Sequence, residues 1–414
     1  MERFALSRMK EWKENENRKP LIIRGARQVG KTWIMKTFGQ QYFEKTAYVN
    51  FDNNARMKQV FEGDLDIERL VLSISAETGV SIEAENTLII FDEVQEVPKA
   101  LTSLKYFYEN APQYAIVAAG SLLGVALHQG TSFPVGKVDF LDLYPLNFRE
   151  FLCAMGENQF VSMLDSCDTQ MVTVFKTKYI ERLREYYFVG GMPEVVKDFS
   201  EKKDYNRVRA IQKNLINYYQ QDFSKHAEIK LVPRLNLVWN SIPMQLAKEN
   251  KKYIYGQVRE GSRAKDFELA IQWLLDCGLI HKVQRIQKPD LPLKAYIDFD
   301  AFKLFLVDIG LLIAMTDLDA KVIIEGNKIF TEFKGALTEQ YILQQLISDV
   351  GVIPYYYSTQ NSKGEIDFLV QGKTSVIPIE VKAEENLKAK SLKAFCEKYQ
   401  PSYAVRTSMS DYRE

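Results

Sequence analysis

The chain is poor in the residues that build secreted or metal-stapled folds. Its four cysteines, Cys153, Cys167, Cys277 and Cys396, are far apart and form no CxxC or Cys/His grouping. That spacing excludes a zinc pattern and a disulfide framework, and it suits a reducing compartment. Histidine is scarcer: His128, His226 and His281 are the whole set, too scattered to offer His-based chemistry. Long hydrophobic runs are missing too. The longest uncharged apolar stretch, Ala115 to Leu127, is too short to cross a bilayer and carries Gly120, Ser121 and Gly124. The first residues, Met1-Glu2-Arg3-Phe4, are charged and lack a signal-peptide core. A cytoplasmic protein with no membrane partner is the resulting expectation. Net charge is also absent, since 54 Lys plus Arg balance 54 Asp plus Glu. Overall charge therefore selects no partner, and any electrostatic preference must be local.

What is present begins with size. At 414 residues, 46% apolar and 26% charged, the chain is globular and long enough for two or three domains. Near its start, Gly25-Ala26-Arg27-Gln28-Val29-Gly30-Lys31-Thr32 fits GxxxxGK[ST] at every fixed position. The apolar run Leu21-Ile22-Ile23 precedes it and a helix-compatible segment from Trp33 to Phe38 follows, the strand–loop–helix order that a phosphate loop needs. Glycines let the backbone wrap a phosphate, while successive N–H groups and a helix N-terminus supply positive potential. Lys31 is expected to reach the β- and γ-phosphates and the Thr32 hydroxyl to ligate Mg²⁺. The eight loop residues and Trp33 together form the expected nucleotide contact.

Further along, Ala47 to Phe51 reads as a short strand, and a polar, helix-compatible stretch continues to about Glu85. Leu88-Ile89-Ile90-Phe91-Asp92-Glu93 then places two acids after a continuous apolar run, the pattern of a parallel strand covered on both faces. Acids at the carboxyl end of such a strand sit where ligands bind in open α/β sheets. Asp92 is expected to hold Mg²⁺ and Glu93 to polarise the attacking water. A third strand, Tyr114 to Ala119, leads to Ser121, which is expected either to contact the γ-phosphate or to cap a helix.

The segments GARQVGKT, LIIFDEVQ and AAGSLL, then Phe133 to Val138, Leu143 to Phe151 and Tyr187 to Pro193, resemble a bacterial and archaeal group of AAA-type ATPases. The C-terminal half in that group is a domain of unknown function with a restriction-endonuclease-like end. The resemblance covers nearly the whole chain. Members often carry Arg after the glycine of the Pro134-Val135-Gly136 stretch, where this chain has Lys137. Lysine lacks the bidentate fork of an arginine finger.

Residues 160 to 225 are rich in helix formers and aromatics that read as packing between helices. Leu235 to Trp239 and Ile242 to Ala247 suggest two helices, and Phe267 to Ile280 a third that ends at Gly278. Ile280 to Val283 and Ala295 to Phe299 would then make the strands of a wing, an order that resembles a winged helix-turn-helix. Residues 200 to 289 hold 17 Lys plus Arg against 9 Asp plus Glu, with Lys251, Lys252, Arg259, Arg263 and Lys265 clustered before the third helix. Contact with DNA phosphates is one reading of that excess. Protein docking is the other.

Three features align in the last hundred residues. Phe333 to Ile342 reads as a helix carrying Glu339, Gly364 to Val370 as a strand carrying Asp367, and Val376 to Lys382 as a strand with Glu380 and Lys382 on one face. Carboxylates gathered this way bind Mg²⁺ or Mn²⁺, and an adjacent ammonium assists phosphodiester attack. The expected ligands are Glu339, Asp367 and Glu380, with Asp367, Glu380 and Lys382 acting in catalysis. A bare [DE]xK triplet arises about three times by chance in a chain this long, so the context carries the weight. Charges kept as a buried network, in a fold that has lost cleavage, are the alternative.

The sequence therefore predicts an α/β protein in four segments. These are an AAA-type parallel-sheet ATPase domain over 1–155, a helical lid over 156–228, a winged-helix-like domain over 229–315 and a restriction-endonuclease-like domain over 316–414. It is expected to bind and hydrolyse ATP with Mg²⁺ and to couple nucleotide state to DNA. Whether the C-terminal site cleaves DNA or serves as a non-catalytic platform for a protein partner stays open, as does assembly into a homo-oligomer.

Overall fold

The computed structural model describes residues 2–120, 133–248, 251–324, 331–359, 364–383 and 390–413. It divides into one unit of residues 2–144 with 276–278, and a second of 145–275 with 279–414.

The first unit is built on five parallel strands: β1 (Leu21–Arg24), β2 (Lys45–Asn50), β3 (Thr87–Asp92), β4 (Ala115–Ala119) and β5 (Asp139–Asp142). Their order is β2-β3-β4-β1-β5. Every residue of β3 and β4 is buried, which accounts for their unbroken apolar runs: both faces are covered, so no alternation survives. Phe51, Phe61 and Phe91 meet edge to face with ring centroids 5.4–5.7 Å apart, pinning the helix Ala55–Glu62 against the strand ends. Because all strands run one way, Arg24, Asn50 and Asp92 end at a common edge. That edge carries the phosphate loop.

The second unit combines helices with a mixed six-stranded sheet. Its strands are β6 (Ile280–Ile286), β7 (Ile297–Leu306), β8 (Tyr355–Ser358), β9 (Glu365–Gln371), β10 (Val376–Val381) and β11 (Val405–Thr407), in the order β11-β10-β9-β8-β6-β7. Two sequence expectations change here. The two helices expected around Pro243 are one, Val232–Leu246, with the proline inside it. Burial of Leu235, Val238, Trp239, Ile242 and Leu246 along one stripe outweighs the hydrogen bond that proline removes. The hairpin expected as a free wing is longer, and β6 pairs in parallel with β8 (Arg285↔Tyr356, Ile286↔Tyr357). The boundary drawn at residue 315 therefore falls inside a continuous sheet.

A buried polar network explains the Tyr187–Pro193 segment. The Asp308 carboxylate accepts hydrogen bonds from Gly191 N (2.6 Å), Leu311 N (3.0 Å) and Gln344 Nε2 (3.3 Å). Desolvation pushes its carboxyl up to about 6, against the pull of those donors. Gly191 admits no side chain, because a Cβ there would lie 2.1 Å from the Leu146 carbonyl oxygen. From the helix Thr331–Ser348, Gln340 pairs in both directions with the Leu306 backbone, and Gln344 accepts from Ile309 N.

Candidate functional site

The loop between β1 and the helix Lys31–Tyr42 is shaped by its own backbone. Gly25 has φ +148°, and a Cβ there would sit 2.1 Å from the Leu143 carbonyl oxygen, so only glycine fits. Gln28 and Gly30 also have positive φ, which turns the chain into the helix. Ala26 and Val29 are buried and anchor the loop, while Arg27, Gln28 and Trp33 are exposed. Beneath it, the buried Arg3 guanidinium donates to Val29 O (3.1 Å) and Tyr144 O (2.6 Å). Arg3 was not singled out by sequence reasoning, because nothing local marks a residue whose partners are so distant.

Lys31 is 7% exposed, and its Nζ donates to the carbonyls of Gly25 and Ala26, each at 2.8 Å. Burial lowers its pKa to about 8, with Glu93 and Asp92 opposing the shift. The ammonium is thus folded back on the loop, held by partial negative charges where phosphate oxygens would offer full ones.

Asp92 and Thr32, 60 residues apart in sequence, meet directly: Thr32 Oγ1 donates to Asp92 Oδ2 at 2.7 Å. Tyr48 Oη donates to the same oxygen at 2.9 Å. Burial and the adjoining Asp92 hold the Tyr48 phenol well above its usual range, so it remains a neutral donor. The Lys36 ammonium lies 3.7 Å from the Tyr48 ring centroid. Tyr48 was also missed, and its signal was slight: a polar-tipped aromatic near the end of β2. The hydroxyl and carboxylate set side by side are hard oxygen donors that fit a Mg²⁺ ion.

Glu93 adopts φ +51°, a conformation uncommon for a residue with a side chain. Its Oε2 accepts from Gln95 Nε2 at 2.7 Å, while the buried Gln95 Oε1 has no hydrogen-bond partner among the described residues. Strain and an unsatisfied buried acceptor at adjoining positions are costs of the kind retained at working sites. Lys137 pairs with Glu109 at 3.0 Å and lies over the Tyr108 ring. Ser121 lies outside the described residues.

The C-terminal residues come together in the second unit, with lysines among them. Among the described residues, no group of three or more His, Cys, Asp or Glu is arranged to hold a metal ion. Lysines take that role around the expected ligands Glu339, Asp367 and Glu380. Lys251 pairs with Glu339 Oε1, and the fully buried Lys303 lies 3.5 Å from Glu339 Oε2 and 2.5 Å from Glu365 Oε1. Lys382 pairs with Glu380 at 2.6 Å, and Val381 N donates to Asp367 Oδ2 at 2.7 Å. Burial opposes charge on Lys303, but Glu339, Glu365 and Asp367 outweigh it and keep the ammonium protonated. Desolvation and the adjacent Glu339 push the Asp367 carboxyl well above its usual range. Three ammonium groups thus face four acids there. Lys303 escaped sequence reasoning, and Lys251, expected at DNA phosphates, instead meets Glu339, because both lie far upstream of the ExK strand in the segment read as a winged helix.

Residues 17–152 match the AAA domain family, residues 180–322 a domain of unknown function (DUF8612), and residues 334–414 another domain of unknown function (DUF4143). The first unit carries an AAA-type P-loop ATPase domain. No curated protein matches the chain in sequence. Among solved structures, the Walker-type ATPase PABY2304 of Pyrococcus abyssi is similar at 14% identity and a TM-score of 0.46, over 76% of this chain and 95% of that one. The Aeropyrum pernix Orc1 protein in complex with DNA is similar at 12% identity and a TM-score of 0.27, over 75% and 91%. The Thermotoga maritima RuvB Holliday junction branch migration motor is similar at 10% identity and a TM-score of 0.29, over 67% and 87%. No helix among the described residues is long and apolar enough to cross a membrane.

Proposed function

We propose that this chain is a Mg²⁺-dependent ATP hydrolase whose nucleotide state governs how its second unit engages DNA. The observation that carries the reading is the meeting of Lys31, Thr32, Asp92 and Glu93 at the carboxyl edge of one parallel sheet. Loop N–H groups and the Lys31 ammonium hold the β- and γ-phosphates. Thr32 and Asp92 hold Mg²⁺, which when bound neutralises charge on the phosphoryl oxygens. Glu93 orients and polarises the attacking water. An exchange of the Gly25 and Ala26 carbonyls for phosphate oxygens at Lys31 would accompany nucleotide entry.

For the C-terminal cluster, the lysine-neutralised arrangement favours an interaction domain over phosphodiester cleavage. A divalent ion entering there would have to displace an ammonium group from a buried carboxylate. The decisive test measures ATP turnover and DNA retention for the wild type and Glu93→Gln. The variant is expected to bind nucleotide, to lose turnover at least about a hundredfold, and to hold DNA differently from the wild type in ATP. Unaltered turnover would remove Glu93 from the chemistry, and unaltered retention would remove the coupling. Plasmid cleavage with Mg²⁺ or Mn²⁺, compared with Asp367→Ala and Lys382→Ala, tests the second point. Cleavage by the wild type that both variants lose would restore the nuclease reading.

A further inference from the structure

Part of the basic excess between residues 200 and 289 is held in ion pairs and hydrogen bonds. Lys202 and Arg207 share Asp198, Lys213 pairs with Asp317, Arg285 with Asp298 and Lys288 with Asp290. Lys251 closes on Glu339, and Arg209 donates to the Leu318 carbonyl. Lys230, Arg234 and Arg259 stand out by lining a single cleft. All three are exposed, and their side chains make no ion pair or hydrogen bond among the described residues.

These three cations converge on one cleft of about 160 Å³, lined also by Leu237, Phe267 and Asp266. They come from two places: Lys230 and Arg234 flank the start of the helix Val232–Leu246, and Arg259 follows the short helix Tyr255–Val258. The Asp266 carboxylate, whose Oδ2 accepts the Arg263 backbone N–H at 2.8 Å, offsets one of the three charges and leaves the cleft positive on balance. Three like charges gathered around a concavity repel one another, and an anion seated among them turns that repulsion into attraction. Guanidinium forks match phosphate oxygens in pairs. The volume also selects, since it falls below the roughly 300 Å³ at which pockets for whole small molecules begin. One phosphate group fits where a nucleotide does not.

We infer that this cleft seats a single backbone phosphate of a DNA strand and anchors the second unit to it. The inference rests on the DNA-engagement reading above and names the contact that reading lacks. Loss of one phosphate contact makes the slope of log affinity against log salt shallower by about 0.9 for duplex DNA. The test is fluorescence anisotropy of a labelled duplex with the full chain between 50 and 200 mM salt. It compares wild type, the double variant Arg234→Gln/Arg259→Gln, and Lys393→Glu. The last makes the same change in net charge on an exposed helix elsewhere.

The double variant is expected to bind roughly tenfold more weakly with the shallower slope, to keep wild-type ATP turnover, and to regain the slope as Arg234→Lys/Arg259→Lys. Lys393→Glu is expected to leave both quantities near wild type. Equal losses in Lys393→Glu and the double variant would overturn the inference, leaving only a general charge effect. A parallel titration with inorganic phosphate at constant ionic strength separates the sources. If the variant loses phosphate binding while DNA binding is untouched, the cleft serves a free anion and the inference is wrong. A wild type that binds no DNA would overturn the underlying reading, and the inference with it.

Discussion

The pH dependence of nucleotide affinity follows from Lys31. Burial lowers its pKa from 10.5 to about 8 in the nucleotide-free protein, whereas phosphate oxygens bind only the protonated ammonium. The nucleotide's phosphates are fully ionised above pH 7.5, so Lys31 is the group in the loop that changes charge from there upward. With a pKa of about 8, the protonated fraction falls enough to weaken binding about 30-fold between pH 7 and pH 9.5. Stability moves the opposite way. Between pH 8 and 10.5 the unfolded chain holds a proton that folded Lys31 has given up, so stability rises with pH, by about 3 kcal/mol in all. The assay is titration of a fluorescent ADP analogue without Mg²⁺ at half-unit steps from pH 7 to 9.5, with urea unfolding of the nucleotide-free protein alongside. Lys31→Met keeps the length of the side chain, and it should bind weakly at every pH and lose the stability slope. Flat wild-type affinity to pH 9.5, or the same fall in Lys31→Met, would refute the reasoning.

Three other outcomes are expected. Gly191→Ala should destabilise the protein by about 3 kcal/mol, since its Cβ would overlap the Leu146 carbonyl oxygen; an unchanged urea midpoint would show that the backbone can yield there. Lys251→Met should cost about 3 kcal/mol by stripping a buried carboxylate of its ion pair, and Mn²⁺ should not restore the melting temperature if the cluster is a closed network. Restoration would mark a cation site. Gln95→Met should lower ATP turnover about tenfold with nucleotide affinity unchanged. It should add nothing in a Glu93→Gln background, because the amide acts through that carboxylate; additive losses would assign Gln95 a separate role.

What could be read from the sequence was what is local. A loop of fixed glycines between strand and helix, and an apolar run ending in Asp92 and Glu93, carry their structural context in neighbouring residues. Tyr48, in β2, and Gln95, two residues past Glu93, sit close by, but their roles depend on which way one hydroxyl and one amide point. The C-terminal acids and Lys382 were found, but Lys303 was not, because it reaches Glu365 from another strand 62 residues away. The charge excess over 200–289 misled by its size: counting cannot tell Arg207, spent on Asp198, from Arg234, which stands clear. Pro243 read as a break because the sequence does not show how much apolar surface its helix buries.

The pairing of β6 with β8 also limits how this protein can be divided. Severing the chain at residue 315 would strip β8 of one neighbour and leave Tyr355, Tyr356 and Tyr357 along an open edge, the kind of strand that recruits other chains. It would also part Lys303 from Glu339 and Glu365, stranding buried acids without their counter-ion. The hairpin and the last hundred residues therefore share one sheet. A chimaera that exchanges the C-terminal region must carry β6 to β11 together, because a swap confined to residues 316–414 would expose the β8 edge to other chains.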